Sequence, residues 1–238
     1  MSITIIDSDC QKNSKIVHFR KPRPGPELNL IDAFLDSMVL RVPRGHSAYV
    51  FREAKLESGF PDLIIVVWKG NIADHWTCER QHVNTADLRI MHFLHQQNGA
   101  EDQIVRELYG EKIEANLNRL LDADLIQLKK GIWMPAKVTK AYAVSHIIAI
   151  EAKIGKWADV LMQASLNTWF ASKSYILLPK MPCTRRLDEA RSFGVNVCTL
   201  DNPEMLNVDS ERNCLPRSYA SWLLNEWTWK ICKNGGQL

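Results

Sequence analysis

No apolar stretch in this chain is long enough to cross a membrane. The longest, Leu63 to Trp68, falls far short of the roughly 18 residues a spanning helix needs. The N-terminus has no basic segment followed by an apolar one, so a soluble, unsecreted, cytoplasmic protein is expected. The six cysteines (Cys10, Cys78, Cys183, Cys198, Cys214, Cys232) include no CxxC pair. In a chain large enough to fold without staples, free thiols in a reducing compartment are the expectation. Also missing are a GxxxxGK[ST] phosphate loop, a GxGxxG turn and a GxSxG elbow, which removes the simple NTPase, dinucleotide and hydrolase readings. There is no internal repeat and no low-complexity tract. A net charge of +3 over 238 residues is no polycation, so any nucleic-acid binding must come from local patches.

What is present is ordinary globular composition, 46% hydrophobic and 24% charged. Residues 1–26 end in Lys21-Pro22-Arg23-Pro24-Gly25-Pro26, which cannot sustain a helix and reads as an arm or linker. Leu28, Ile31, Phe34, Leu35 and Met38 then recur at helical spacing, with Glu27 in the first turn, predicting a helix over 27–39. Strands are predicted over 47–56 and 62–68, joined by Glu57-Ser58-Gly59-Phe60-Pro61 as a hairpin. A third strand, 146–153, is followed by a helix over 157–172, a strand over 175–178, a helix over 184–193 and a strand over 195–200. This order predicts an α/β fold with a mixed central sheet flanked by helices. Trp222, Leu223, Glu226, Trp227 and Lys230 fall at helical offsets between Tyr219 and Cys232, as a helix packed on the sheet, with Gly235-Gly236 as its stop; an aromatic surface for a partner or stacked bases is the alternative.

The segment 76–140 differs in character. Leu88, Met91, Phe93 and Leu94 suggest one helix; Ile104, Val105 and Leu108 a second; Ile113, Leu117, Leu120 and Leu121 a third. Two alternating stretches around Lys130-Gly131 follow, from Ile126 to Met134. The pattern resembles a winged helix inserted into a larger domain made of 27–75 and 141–238.

Hydrolysis of a phosphodiester by metal ions needs hard oxygen ligands and a group that orients or deprotonates water. Two carboxylates and a lysine can supply both. In Ile150-Glu151-Ala152-Lys153, Glu151 and Lys153 stand on one strand face about 7 Å apart, with the Ala152 carbonyl between them free to ligate. Asp62 opens the preceding strand and meets Glu151 if the two strands are neighbours. "SGFPDLIIV" and "HIIAIEAKIG" resemble the two signature strands of the PD-(D/E)xK superfamily, the restriction-endonuclease-like nucleases. The resemblance covers 27–75 and 141–200 and implies that Asp62 and Glu151 bind Mg²⁺ or Mn²⁺ while Lys153 positions the attacking water or steadies the transition state. It also implies a catalytic role for Gln163, on the following helix where many members carry a glutamine; Asn167 shares that helix face. For an additional acidic ligand the order of preference is Glu57, Glu27, then Glu53. The sequence departs from the family in the gap of about ninety residues between Asp62 and Glu151, which the inserted segment accounts for.

Lys156 before that helix, Lys129 and Lys130 in the wing, and Arg23 in the arm are the candidate nucleic-acid contacts, with Lys12, Lys15, Arg20, Lys21, Arg41 and Arg44 adding charge to the arm and its surroundings. The third helix of the insertion would offer Asn116, Asn118 and Arg119, but Glu111, Glu114, Asp122 and Asp124 oppose phosphate there. His75, Cys78, His82, His92 and His95 match no standard zinc spacing. The expected function is a metal-dependent DNA endonuclease. The alternative is a non-catalytic nucleic-acid- or protein-binding module of the same fold, acting as a regulator or subunit. Expected partners are DNA, a protein at the insertion, and a second copy of the chain, with no membrane.

Overall fold

Every residue of Leu63–Trp68 is buried, so this strand must be covered on both faces and must lie inside a sheet. The computed structural model, which describes residues 3–10, 17–202 and 215–233, shows why. In chain order it contains β1 (Ile3–Ile6), α1 (Pro26–Ser37), β2 (Ser47–Arg52), β3 (Leu63–Trp68), α2 (Thr85–Gln97), β4 (Ala100–Glu101), α3 (Asp102–Tyr109), α4 (Glu114–Asp122), β5 (Ile126–Lys129) and β6 (Ile132–Pro135). There follow α5 (Val138–Ala141), β7 (Val144–Ala152), α6 (Trp157–Asn167), β8 (Lys173–Leu178), α7 (Thr184–Ser192), β9 (Val195–Thr199) and α8 (Tyr219–Lys233). The central sheet has six strands in the order β1-β2-β3-β7-β8-β9. β3 runs antiparallel to both of its neighbours, β2 and β7, whereas β1 with β2, β7 with β8 and β8 with β9 are parallel, so the sheet is mixed.

Alternation along the strands divides the apolar residues between two layers. Leu63, Ile65, Ile148 and Ile150 pack with Leu30, Ile31 and Phe34 of α1 on one face. Ile64, Val66, Trp68, Ile147 and Ala149 pack on the other face with α8 and with α2 and α4 of the inserted segment. α6 and α7 close that second face over β8 and β9, through Val160, Ala164 and Ala190 on Ile176, Val195 and Val197.

Several sequence expectations shift. The arm 1–26 is in part a piece of the sheet: Ile3 to Ile6 form an edge strand beside β2, and Val17 and Phe19 are buried. The strand expected over 47–56 stops at Arg52, because Glu53 takes a left-handed backbone, φ 54°. The helix expected over 157–172 ends at Asn167. Within the inserted segment, β4, β5 and β6 form a separate three-stranded sheet in the order β4-β6-β5, packed with α2, α3 and α4. Trp222, Trp227 and Trp229 of α8 are buried, so that helix packs in the core and its tryptophans are not a stacking surface. Lys12 and Lys15 of the arm, Cys214 and the Gly235-Gly236 stop lie outside the described residues.

Candidate active site

The antiparallel register of β3 and β7 sets Leu63 opposite Ile150. One rung further lie Asp62 and Glu151, on the same face of the sheet. Two rungs further the ladder reaches Pro61 and Ala152, and there it changes. The Ala152 N–H donates to the Asp62 carboxylate, Oδ2, at 2.7 Å instead of to a backbone carbonyl. Pro61 has no N–H to return to the Ala152 carbonyl, so the end of the ladder leaves an acceptor without its usual donor. Proline followed by aspartate thus does two things: it stops the pairing and folds a carboxylate back against β7.

Glu151 is held from the opposite side. Asn167, in the last turn of α6, donates through Nδ2 to Glu151 Oε1 at 2.7 Å, and both side chains are buried. Among the described residues the second oxygen of each carboxylate, Asp62 Oδ1 and Glu151 Oε2, has no hydrogen-bond partner. Both acids line a cleft of about 380 Å³ together with Arg20, Arg23, Glu27, Glu53, Lys153 and Gln163.

Ion pairs shape the rest of this cleft. Lys153 Nζ donates to Glu27 Oε2 at 3.1 Å, joining the end of β7 to the first turn of α1. Arg20 donates to Glu53 Oε2 through Nε at 2.9 Å and Nη2 at 2.5 Å. Burial pushes the Asp62 carboxyl up from its ordinary value; the Ala152 N–H opposes this and the Glu53 charge adds to it. Burial also raises Glu151, and the Asp62 charge raises it further, while the Asn167 amide opposes the rise. Glu53 is raised by burial and pulled back by Arg20. The charges of Glu53 and Glu27 thus oppose ionisation of Asp62, and those of Asp62 and Glu53 oppose ionisation of Glu151, a condition that a bound cation relieves.

Asp62, Glu151 and the Ala152 carbonyl offer hard oxygen donors of the kind that hold Mg²⁺ or Mn²⁺. Among the described residues no three His, Cys, Asp or Glu side chains form a ready-made metal cage. Glu27 and Glu53, the nearest additional acids, are turned to Lys153 and Arg20. The fit to a divalent ion rests on the two core carboxylates and the orphaned carbonyl.

The structure therefore brings together Asp62, Glu151, Ala152, Lys153, Gln163, Glu27 and Arg23. It does not bring Glu57, the preferred additional ligand, into the cleft: that carboxylate accepts from the Tyr219 hydroxyl and pairs with Arg89 at 3.3 Å. Glu53, ranked last, is the acid that lies inside. Lys156 is exposed at the start of α6, and Lys129 and Lys130 are exposed at the turn between β5 and β6; none of the three lines the cleft. Asn116 and Arg119 on α4 are internal ligands of buried Asp87, at 2.7 Å and 2.8 Å, so they are not offered to a partner. Sequence reasoning set Asn167 below Gln163 and did not place Arg20 at the site. The i, i+4 relation of Gln163 to Asn167 was the available signal for Asn167; for Arg20, only its place in a basic arm.

No family model matches the chain, and no curated protein matches it. Among solved structures, a crystal structure of protein VC1899 from Vibrio cholerae is 11% identical, over 63% of this chain and 53% of that one, with a TM-score of 0.20. The chain thus spans about half the length of that structure, and a likeness this low carries no argument about fold or function.

Proposed function

We propose that this chain is a divalent-metal-dependent DNA endonuclease of the PD-(D/E)xK type. The observation that carries the reading is the Ala152 N–H to Asp62 carboxylate bond, which joins the residue just before β3 to the end of β7, where Glu151 and Ala152 are followed by Lys153. Asp62, Glu151 and the Ala152 carbonyl would hold Mg²⁺ or Mn²⁺, with Glu27 and Glu53 within the same cleft as further acids. When bound, such an ion supplies charge neutralisation at the phosphate and a more acidic water. The chain's own residues do the rest. Asn167 fixes Glu151 by one oxygen and leaves the other for the ion. Lys153, just beyond the end of β7 and lining the same cleft as Glu151, orients the attacking water or steadies the charge of the transition state. Gln163, exposed at the rim of the cleft, contacts the substrate backbone.

We read the inserted segment as a winged helix, supported by its order of helix, short strand, two helices and hairpin. Its third helix exposes Glu114, Asn118 and Asp122, which favours a protein partner over DNA on that face. One site per chain cuts one strand, so cutting both calls for a second copy or a second event. The test is conversion of supercoiled plasmid in Mg²⁺, Mn²⁺ or EDTA. Nicking or linearisation that needs the metal and disappears in Asp62→Ala and Lys153→Ala is expected. Binding without cleavage in any metal would favour the non-catalytic module instead.

A further inference from the structure

The residues before α1 are strapped to the mouth of the cleft. Val17 and Phe19 are buried anchors, Phe19 bridges to Ala54, the Lys55 N–H donates to the His18 carbonyl at 2.8 Å, and the Arg20 N–H donates to the Glu53 carbonyl at 3.0 Å. Arg20 is thereby delivered to the cleft by backbone pairing, not by a loose tail. Its side chain is 43% exposed and lines the cleft. The guanidinium lies over the Phe60 ring, 5.1 Å from its centroid, and directs Nε and Nη2 at one oxygen of buried Glu53.

A guanidinium has five N–H groups in a planar fork. Glu53 engages the Nε edge. Among the described residues nothing else bonds to the Arg20 side chain, so the Nη1–Nη2 edge, the one that matches two phosphate oxygens, remains available. Glu53 itself sits at a left-handed backbone position, φ 54°, uncommon for a residue with a side chain and a recurrent mark of functional sites. A buried acid in a strained conformation that clamps one edge of a half-exposed arginine is an arrangement for presenting the other edge.

Resting on the nuclease reading, we infer that Arg20 grips a phosphate of the nucleic-acid backbone at the mouth of the cleft through its free Nη edge, with Glu53 and Phe60 as the positioning residues that hold the guanidinium for it. Arg23, exposed and lining the same cleft, extends the basic rim along the strand path. The substrate is then held by the segment ahead of α1, and the inserted segment is not needed for that contact.

The experiment is fluorescence anisotropy of a short fluorescein-labelled DNA duplex in EDTA, titrated at several salt concentrations, with plasmid cleavage run in parallel on the same preparations. Arg20→Ala is expected to bind about 10-fold more weakly, the lower bound for a charge-assisted hydrogen bond. Its plot of log affinity against log salt should flatten by about 0.9, one phosphate contact. Arg20→Lys keeps the charge and loses the fork, so it should retain the slope while still losing affinity. Glu53→Ala should weaken binding although it removes a negative charge, and Glu53→Gln, which keeps an acceptor for Nε, should restore it. Thermal melts of each variant separate these effects from misfolding, with Arg20→Lys as the variant that keeps the ion pair. If Arg20→Ala binds with wild-type affinity and slope in a protein that cleaves plasmid, this inference fails and the nuclease reading stands. If the wild type neither binds nor cleaves DNA, both fall together.

Discussion

In the proposed nuclease Asp62 and Glu151 would carry the chemistry, because each has one oxygen spent on positioning and one left over. The Ala152 N–H takes the first oxygen of Asp62, and the Asn167 amide takes the first of Glu151. Replacing Asn167 by Ala should leave the fold in place but free Glu151 to turn. Because that amide lowers the Glu151 carboxyl, its removal should move the acid limb of the pH–rate profile to higher pH, read from cleavage rates across pH. The same raised carboxyls bear on stability. Asp62 and Glu151 are both raised in the folded chain, so as pH climbs the unfolded chain gives up their protons first. The metal-free protein is therefore expected to lose stability from the ordinary carboxylate range up through the raised values; below that window the two acids make no such difference. Melting temperatures measured across that window should fall for the wild type and fall less for Asp62→Asn. That Asp62, Glu151 and Lys153 come together in one cleft was legible from residue type and strand position. Glu57, ranked above Glu53 as an additional ligand, lies outside the cleft that Glu53 lines. Glu53 turns to a left-handed φ, alternation stops there, and facing can no longer be counted from the neighbours.

At the scale of elements, β3 and β7 could be read directly because their apolar residues are consecutive, the mark of strands covered on both sides. β1 could not: four residues at a parallel edge give too short a signal, and the prolines that follow drew the whole segment toward a linker. In the inserted segment, helix positions were recoverable from apolar spacing, but the direction of the polar side chains was not. Buried Asp87 closes a capping box with Asn84 and then draws Asn116 and Arg119 inward, which no periodicity reveals. Gly99 is fixed for a simpler reason. It sits at φ 110°, and a Cβ there would come 2.6 Å from Met134 Sδ and 3.0 Å from the Trp133 carbonyl. Gly99→Ala should destabilise the three-stranded sheet by on the order of 1–3 kcal/mol, the cost of a residue forced into a disallowed backbone region, measured by urea unfolding.

The whole molecule is joined across its second face by α8. Arg80, just before α2, pairs with Glu226 of α8 at 2.7 Å, both almost wholly buried, and its guanidinium lies 3.4 Å from the Trp76 ring centroid. The inserted segment is thus bound to the body of the protein by a desolvated ion pair as well as by apolar packing of α2 on α8. Arg80→Ala leaves Glu226 buried and unpaired and should cost about 3–5 kcal/mol, whereas Arg80→Met with Glu226→Leu should recover most of it. Denaturant titration of the single and double variants measures the difference. The long-range pairing of positions 80 and 226 had no sequence signal, since neither residue type nor spacing marks a partner that distant. The order of elements did, because the long stretch between the residues of β3 and those of β7 called for an inserted unit.

The central claim is that Asp62 and Glu151, with the Ala152 carbonyl, form the seat of a divalent ion. Calorimetric titration of the intact protein with Mn²⁺ tests it most directly, without reference to any substrate. Stoichiometric binding that is lost in Asp62→Ala and in Glu151→Ala, and kept in Glu57→Ala, is the expected result. Mn²⁺ binding unchanged by the loss of Asp62 and Glu151, or no binding by the wild type, would contradict the account.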